Sequence, residues 1–275
     1  MNVAFQGEPG AYSEAAALAY FGPKVATLPC HAFNDVFEAV QGEKAECGLI
    51  PIENSLAGSI HQNYDLLLQN QLYIVGEYFL RVQHCLIALP GVQMRDIRTV
   101  ISHPQGLAQC DRYLRSLGVQ PEIGYDTAGS VRILKERGDR TLAAIASRRA
   151  AEVYEMNILQ EGVEDNPANY TRFLVIDRKP VFPGDDAKTS IVFSTKNIPG
   201  ALFKALSVFA LRDIDLLKIE SRPLVGKPWE YMFYIDCEGS TTERRVTRAL
   251  EHLGEYATTL RVLGSYVRHI RTSDT

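Results

Sequence analysis

Over roughly the first 180 residues, short apolar runs alternate with segments whose apolar positions recur every three to four residues. The runs at 2–5, 47–52, 98–102, 121–124, 141–146 and 171–176 read as strands. The periodic segments from about residue 13, and at 34–41, 60–68, 105–117, 128–137 and 147–154, read as helices. Ser13 suits the N-cap of the first helix, and Val36, Phe37 and Val40 share one face of the second. Strands alternating with helices predict an α/β fold with a mainly parallel sheet covered on both faces. Residues 72–89 form one long extended stretch between two such blocks. That arrangement predicts two lobes with a cleft between them, the run at 171–176 returning the chain to the first lobe.

The rhythm breaks at 177–186, where two prolines, one glycine and five charges fall within ten residues. Beyond it come a strand at 189–194, a helix at 199–211, strands at 214–221 and 230–236, a helix at 242–253 and a strand at 257–267. This order is βαββαβ, the ferredoxin-like plan. Pro199 suits the first helical turn, Leu202, Leu206 and Phe209 should face the sheet, and Tyr231, Phe233 and Ile235 should lie on one buried strand face. The division is therefore a two-lobed domain at 1–179, a linker at 180–187 and a small α+β domain at 188–275.

Composition narrows the function classes. A chain of 275 residues exceeds one compact core, and 46% hydrophobic with 23% charged residues is ordinary for a globular protein. A formal charge of −4 argues against nucleic acid as a partner, and Arg244, Arg245 and Arg248 read as a solvated helical face. Cys30, Cys47, Cys85, Cys110 and Cys237 are odd in number and far apart, with no Cys-x-x-Cys pair, which fits reduced cytosolic thiols better than a disulfide frame or a zinc site. The first residues lack a signal-peptide pattern, and no stretch approaches the ~20 apolar residues of a membrane span. The expectation is a cytoplasmic protein with no membrane partner.

No dinucleotide, P-loop, zincin or nucleophile-elbow motif is present. The turn Gly7-Glu8-Pro9-Gly10 before a helix can present N–H groups to an anion, although such turns are more often structural. More informative are polar residues crowded at strand ends. Glu53-Asn54-Ser55, Ser102-His103-Pro104-Gln105 and Asp126-Thr127-Ala128-Gly129-Ser130 each follow an apolar run, and Asn169-Tyr170-Thr171-Arg172-Phe173 opens one. In open α/β sheets, ligands bind at the carboxyl ends of strands. Singly, each cluster reads as a helix cap, a turn or a surface ion pair; together they point to a small anionic metabolite, held by an enzyme or a binder.

The segments Ile50-Pro51-Ile52-Glu53-Asn54-Ser55, His103-Pro104-Gln105 and Asn169-Tyr170-Thr171-Arg172-Phe173 resemble, in order, the catalytic-domain motifs of prephenate dehydratase. The C-terminal part resembles an ACT domain, with Gly200-Ala201-Leu202, followed by Leu206, and Glu220-Ser221-Arg222-Pro223 matching the two segments associated with phenylalanine binding at a subunit interface. The resemblance implies a type 2 periplasmic-binding-protein-like catalytic domain of two lobes. It also implies conversion of prephenate to phenylpyruvate, water and carbon dioxide, feedback regulation by L-phenylalanine, and a homodimer or homotetramer through ACT domains. No metal or cofactor is implied.

By the same resemblance, Thr171 stands at the departing hydroxyl, and either Glu53 or His103 supplies its proton. Asn54, Ser55, Gln105 and Thr127 suit the carboxylates, with Ala128, Asn169 and Phe173 completing the substrate site. Arg172 either pairs with a carboxylate or holds the Thr171 strand. Gly106 stands where an alanine is common and Val131 where a smaller residue is often found, and both are expected to reshape the pocket. The rival readings are an arogenate dehydratase and, from another class, an amino-acid sensor or solute-binding protein.

Overall fold

The computed structural model describes residues 1–184, 186–224 and 229–269. It divides into two compact units: Met1–Leu68 with Tyr78–Phe173, and Gln69–Glu77 with the chain from Leu174 onward. In chain order the N-terminal elements are β1 (Asn2–Gln6), α1 (Tyr12–Phe21), β2 (Ala26–Cys30), α2 (Phe33–Gln41), β3 (Cys47–Asn54), β4 (Gly58–Ser59), α3 (His61–Gln69) and β5 (Tyr73–Arg81). Then come β6 (Cys85–Ala88), β7 (Thr99–Ser102), α4 (Pro104–Gln109), α5 (Asp111–Leu117), β8 (Gln120–Ile123), α6 (Thr127–Arg137), β9 (Leu142–Ala146), α7 (Arg148–Tyr154), β10 (Asn157–Glu161) and β11 (Tyr170–Asp177).

Two sheets organise this region. One has the order β2-β1-β3-β11-β5, with β4 on β3; the other has the order β10-β6-β9-β7-β8. The expected two lobes are thus present, and β11 does return the chain to the first sheet. The extended stretch at 72–89 breaks into β5 and β6, one strand in each sheet. The second sheet is not mainly parallel: β7 runs parallel to β8 and β9, but β6 is antiparallel to both β9 and β10. Its apolar side chains are buried in two clusters, Ile87 and Ile101 with Val131 of α6 in one and Leu86 and Val100 with Leu114 of α5 in the other.

Several local expectations shift for identifiable reasons. Helix α1 starts one residue earlier, with Ala11 at its N-cap and Ser13 inside the first turn. No side chain caps this end; instead the carboxylate of Glu14 reaches back to the Gly10 N–H at 2.7 Å and ties the preceding turn to the first turn of the helix. The predicted helix at 105–117 is two helices, broken at Cys110 with φ −120°. Strand β2 escapes the apolar pattern because it is an edge strand containing Pro29, and β10 because it is a bulged edge strand rich in polar residues.

The second unit contains β12 (Ala187–Thr195), α8 (Ala201–Ala210), β13 (Leu216–Pro223), β14 (Tyr231–Glu238), α9 (Arg244–Tyr256) and β15 (Ala257–Val267). Its antiparallel sheet has the order β13-β14-β12-β15, as the βαββαβ reading requires. Ile191, Phe193, Phe209, Ile235 and Leu253 form the core under the two helices. Pro199 precedes the helix rather than entering it, because Gly200, at φ 78°, is the N-cap of α8. Residues 69–77 pack within this unit. Arg261 Nη2 donates to the carbonyls of Asn70 at 2.7 Å and Leu72 at 3.1 Å. Lys188 meets Glu77, and a Cβ on Gly264 would lie 2.0 Å from the Ile74 carbonyl oxygen. Strands β5 and β11 therefore each run through both units.

Candidate active site

Strand ends and helix starts of the first unit enclose a cavity of about 380 Å³. Of the residues expected at a site, Asn54 at the end of β3, His103 and Gln105 at the start of α4, Thr127 at the start of α6, and Thr171 and Phe173 on β11 all line it. Tyr12 and Ser13, in the first turn of α1, line it too. The described lining residues include no lysine, arginine, aspartate or glutamate. An anion in this space is therefore met by neutral N–H and O–H donors and by the positive ends of α1 and α6. The α6 start is fixed by Asp126, whose carboxylate accepts from Gly129 N at 2.9 Å.

Asn54 holds the centre of the site. Its Oδ1 accepts from the N–H groups of Leu56 at 3.1 Å and Ala57 at 3.0 Å. Backbone nitrogens only donate, so the amide NH₂ faces the other way, toward Asn169 Oδ1 at 2.8 Å and Thr171 Oγ1 at 3.0 Å. Because Thr171 receives a hydrogen from Asn54, its own hydroxyl hydrogen is available to a group in the cavity. His103 accepts from Gln105 N through Nδ1 at 3.2 Å, which puts the hydrogen of a neutral ring on Nε2.

Other expected residues sit elsewhere. Glu53 and Arg172 are outside the lining. Arg172 falls between Thr171 and Phe173, which both line the cavity, so strand periodicity turns it to the other face. Glu53 stays out of the lining although Pro51 and Asn54 beside it on β3 both belong to it. Arg172 is buried, its guanidinium 6.0 Å from the centre of the Phe79 ring. The Ser55 hydroxyl donates to Ala168 O and accepts from Tyr170 N, both at 2.9 Å, and so clamps the entry to β11. Ala128 is core, and Asn169 is fully buried behind the lining. Gly106 does line the cavity, and a Cβ there would lie 2.8 Å from Ser102 Oγ. Val131 does not: it is fully buried in the core.

Tyr12, His84 and Gln109 are among the lining residues that escape the motif reading. Gln109 follows Gln105 by four residues, the spacing of one helix face, which is a usable signal. His84 lies in the break between β5 and β6 and carries no pattern. It is buried, with Nδ1 2.8 Å from the Tyr12 hydroxyl and Nε2 2.8 Å from Gln109 Oε1. Burial lowers the His84 pKa from its ordinary value, opposed by the Gln109 hydrogen bond and by Glu164; burial also pushes the Tyr12 phenol well up.

In the second unit, Gly200, Ala201 and Leu202 form the start of α8, with Leu202 and Leu206 packed on the core. Glu220, Ser221, Arg222 and Pro223 form the end of β13. All five cysteines are unpaired and buried.

Residues 3–181 match the family model described as prephenate dehydratase, and residues 189–255 match that of the ACT domain. Arogenate dehydratase/prephenate dehydratase 2, chloroplastic, of Arabidopsis thaliana is 49% identical over 97% of this chain and 72% of its own length. Arogenate dehydratase 2 of Petunia hybrida is 47% identical over 97% and 71%. Among solved structures, a prephenate dehydratase from Arthrobacter aurescens in complex with L-Phe is 32% identical with a TM-score of 0.89, over 98% of this chain and 90% of that one. GqqA, described as a novel type of quorum quenching acylase, is 38% identical with a TM-score of 0.92, over 98% of both chains. That relatives at this identity are named chloroplastic overturns the cytoplasmic expectation. The chain is a dehydratase that belongs to the prephenate dehydratase family and carries an ACT domain.

Proposed function

We infer that this chain converts prephenate to phenylpyruvate, water and carbon dioxide in the Asn54–Thr171 cavity. The observation that carries the assignment of roles is the direction of the Asn54-to-Thr171 hydrogen bond, which leaves the Thr171 hydrogen for the departing oxygen. The ring carboxylate leaves as carbon dioxide, and the electron pair of its C–C bond enters the ring. The C–O bond at the opposite carbon breaks with its pair on oxygen. One proton completes the water, and aromatisation drives the sum. Thr171 hydrogen-bonds the charge developing on that oxygen, a contribution worth ~10²–10³ in rate at a well-placed donor. With Glu53 outside the lining, His103 is the titratable motif residue within reach of the substrate.

Prephenate carries an oxo group where arogenate carries an ammonium. The lining supplies donors but, among the described residues, no carboxylate to receive an ammonium, which supports the oxo acid. The names of the plant relatives favour arogenate. Comparing kcat/KM on the two substrates decides: phenylpyruvate formed faster than L-phenylalanine supports this reading, and the reverse order overturns it. An acylase of the serine or threonine type needs a hydroxyl activated by a neighbouring base. Among the described residues, His84 is bonded to Tyr12 and Gln109 and His103 to its own helix, which leaves no serine– or threonine–imidazole pair in this cavity.

The L-Phe complex of the Arthrobacter aurescens relative supports L-phenylalanine as the effector. In this reading it binds near Gly200–Leu202 and Glu220–Pro223, between ACT domains of a homodimer or homotetramer. Inhibition requires tighter binding to a less active state. Activity and thermal midpoint unchanged at saturating L-phenylalanine would count against it, and sedimentation with and without the amino acid reads the assembly.

A further inference from the structure

We propose that His84 is a positioning residue for the dehydration: through its Nε2–H it fixes the Gln109 amide so that the amide NH₂ is presented to the substrate. The proposal rests on the dehydratase reading and adds a residue to it. Direction can be traced through the network from one end, where no choice exists. The Leu56 and Ala57 N–H groups donate to Asn54 Oδ1, so the Asn54 NH₂ donates to Asn169 Oδ1 at 2.8 Å. The Asn169 NH₂ then faces Gln109 and donates to its Oε1 at 3.0 Å.

Gln109 Oε1 also lies 2.8 Å from His84 Nε2, and two acceptors do not pair. His84 Nε2 must therefore carry a hydrogen. With Oε1 held by two donors, the Gln109 NH₂ is the end of the amide left for the cavity, and it has no partner among the described residues. The reverse tautomer would invite Gln109 to flip, setting its NH₂ against the NH₂ of Asn169. His84 thus closes the far end of a chain whose near end is Thr171.

The other ring nitrogen fits the same scheme. Nδ1 of the neutral ring accepts from Tyr12, whose hydroxyl also lies 3.0 Å from the Gln83 carbonyl. Should Nδ1 gain a proton, Tyr12 can turn its hydrogen to Gln83 while Nε2–H stays on Gln109. The charged group bonded to the His84 backbone N–H is Glu164, at 2.9 Å, itself 4.0 Å from Arg81. The Gln109 orientation is therefore the same in both protonation states, which separates this role from that of a proton carrier.

The chain contains six histidines, so ¹⁵N-histidine labelling gives a tractable spectrum, with His84 assigned by its loss in His84→Gln. A long-range ¹⁵N–¹H correlation should place the hydrogen of His84 on Nε2; a hydrogen on Nδ1 alone overturns the proposal without any assay. In turnover, His84→Met, which lacks the donor, should lower kcat/KM by about 10- to 100-fold, the scale of a mispositioned group. His84→Gln, which keeps an N–H at that reach, should restore most of it. His84→Met combined with Gln109→Leu should be no worse than Gln109→Leu alone; independent, multiplying losses overturn the proposal. The pH profile of kcat/KM for His84→Gln should keep the unsubstituted shape, and loss of an ionisation would make His84 a proton carrier instead. If His84→Met does not fold, the tautomer and the Gln profile still decide. A wild-type chain inactive on both prephenate and arogenate sinks the dehydratase reading but leaves the tautomer result standing.

Discussion

Lys188 on β12 and Glu77 on β5, 111 residues apart in sequence, form an ion pair in which Nζ lies 2.8 and 2.9 Å from the two carboxylate oxygens and both side chains are buried. Glu77 also accepts from the His269 N–H at 3.2 Å. Breaking one side of such a pair leaves a buried charge and costs about 3–5 kcal/mol, whereas replacing both partners with apolar groups is often neutral. Lys188→Met should therefore lower stability by about that amount in denaturant unfolding, and Lys188→Met with Glu77→Leu should recover most of it. A double variant as unstable as the single would show that the charges themselves hold this region.

Thr171→Val keeps the shape of the side chain and removes the hydroxyl. Turnover should fall by about 10²–10³-fold with the fold intact, as when one well-placed donor is lost. Near-normal turnover with an unchanged thermal midpoint would take Thr171 out of the reaction.

Gly106→Ala places a methyl group 2.8 Å from Ser102 Oγ, a hydroxyl already committed to Ile145 O at 2.7 Å. The serine must turn or the helix must shift, at a cost of about 1–3 kcal/mol. Adding Ser102→Ala should relieve the clash, so the two substitutions should couple favourably in a thermodynamic cycle. Strict additivity would place the strain somewhere else.

His84 links stability to pH. Burial holds its pKa below the ordinary 6.5, so the unfolded chain binds the proton more readily than the folded one. Its contribution should be complete above pH 6.5 and erode as pH falls below that value through the lower folded pKa. A thermal midpoint followed downward from neutral pH should fall less steeply in His84→Gln than in the unsubstituted chain. Identical slopes would mean that His84 does not titrate in this window.

What could be read from sequence follows from where chemistry is contiguous. Asn54, His103, Gln105, Thr127 and Thr171 stand at strand ends or helix starts, where a change from apolar to polar is visible in one dimension. Arg172 was swept in with its neighbours, because a motif does not say which face of a strand each residue takes, and Glu53 was swept in because it adjoins Asn54. Tyr12, His84 and Gln109 went unseen, since their common property is a hydrogen-bond chain assembled from α1, the β5–β6 connection and α4. The βαββαβ order was legible because each of its elements carries its own periodicity. The split of β10 and β2 from the surrounding loops was not, since edge strands with one paired side tolerate polar residues and proline.

The shared strands β5 and β11 bear on any attempt to dissect the chain. A cut at the proline-rich segment near residue 180 looks natural in sequence, yet it would strip residues 69–77 of Arg261, Gly264 and Lys188 and leave the Glu77 carboxylate with no counter-charge from β12. The same two strands carry Thr171 and Phe173 and lead into His84. The catalytic portion is thus not a module in the engineering sense. Swapping its C-terminal half for that of a relative would require grafting residues 69–77 along with it, and a chimera joined only at the linker would inherit a mismatched seam.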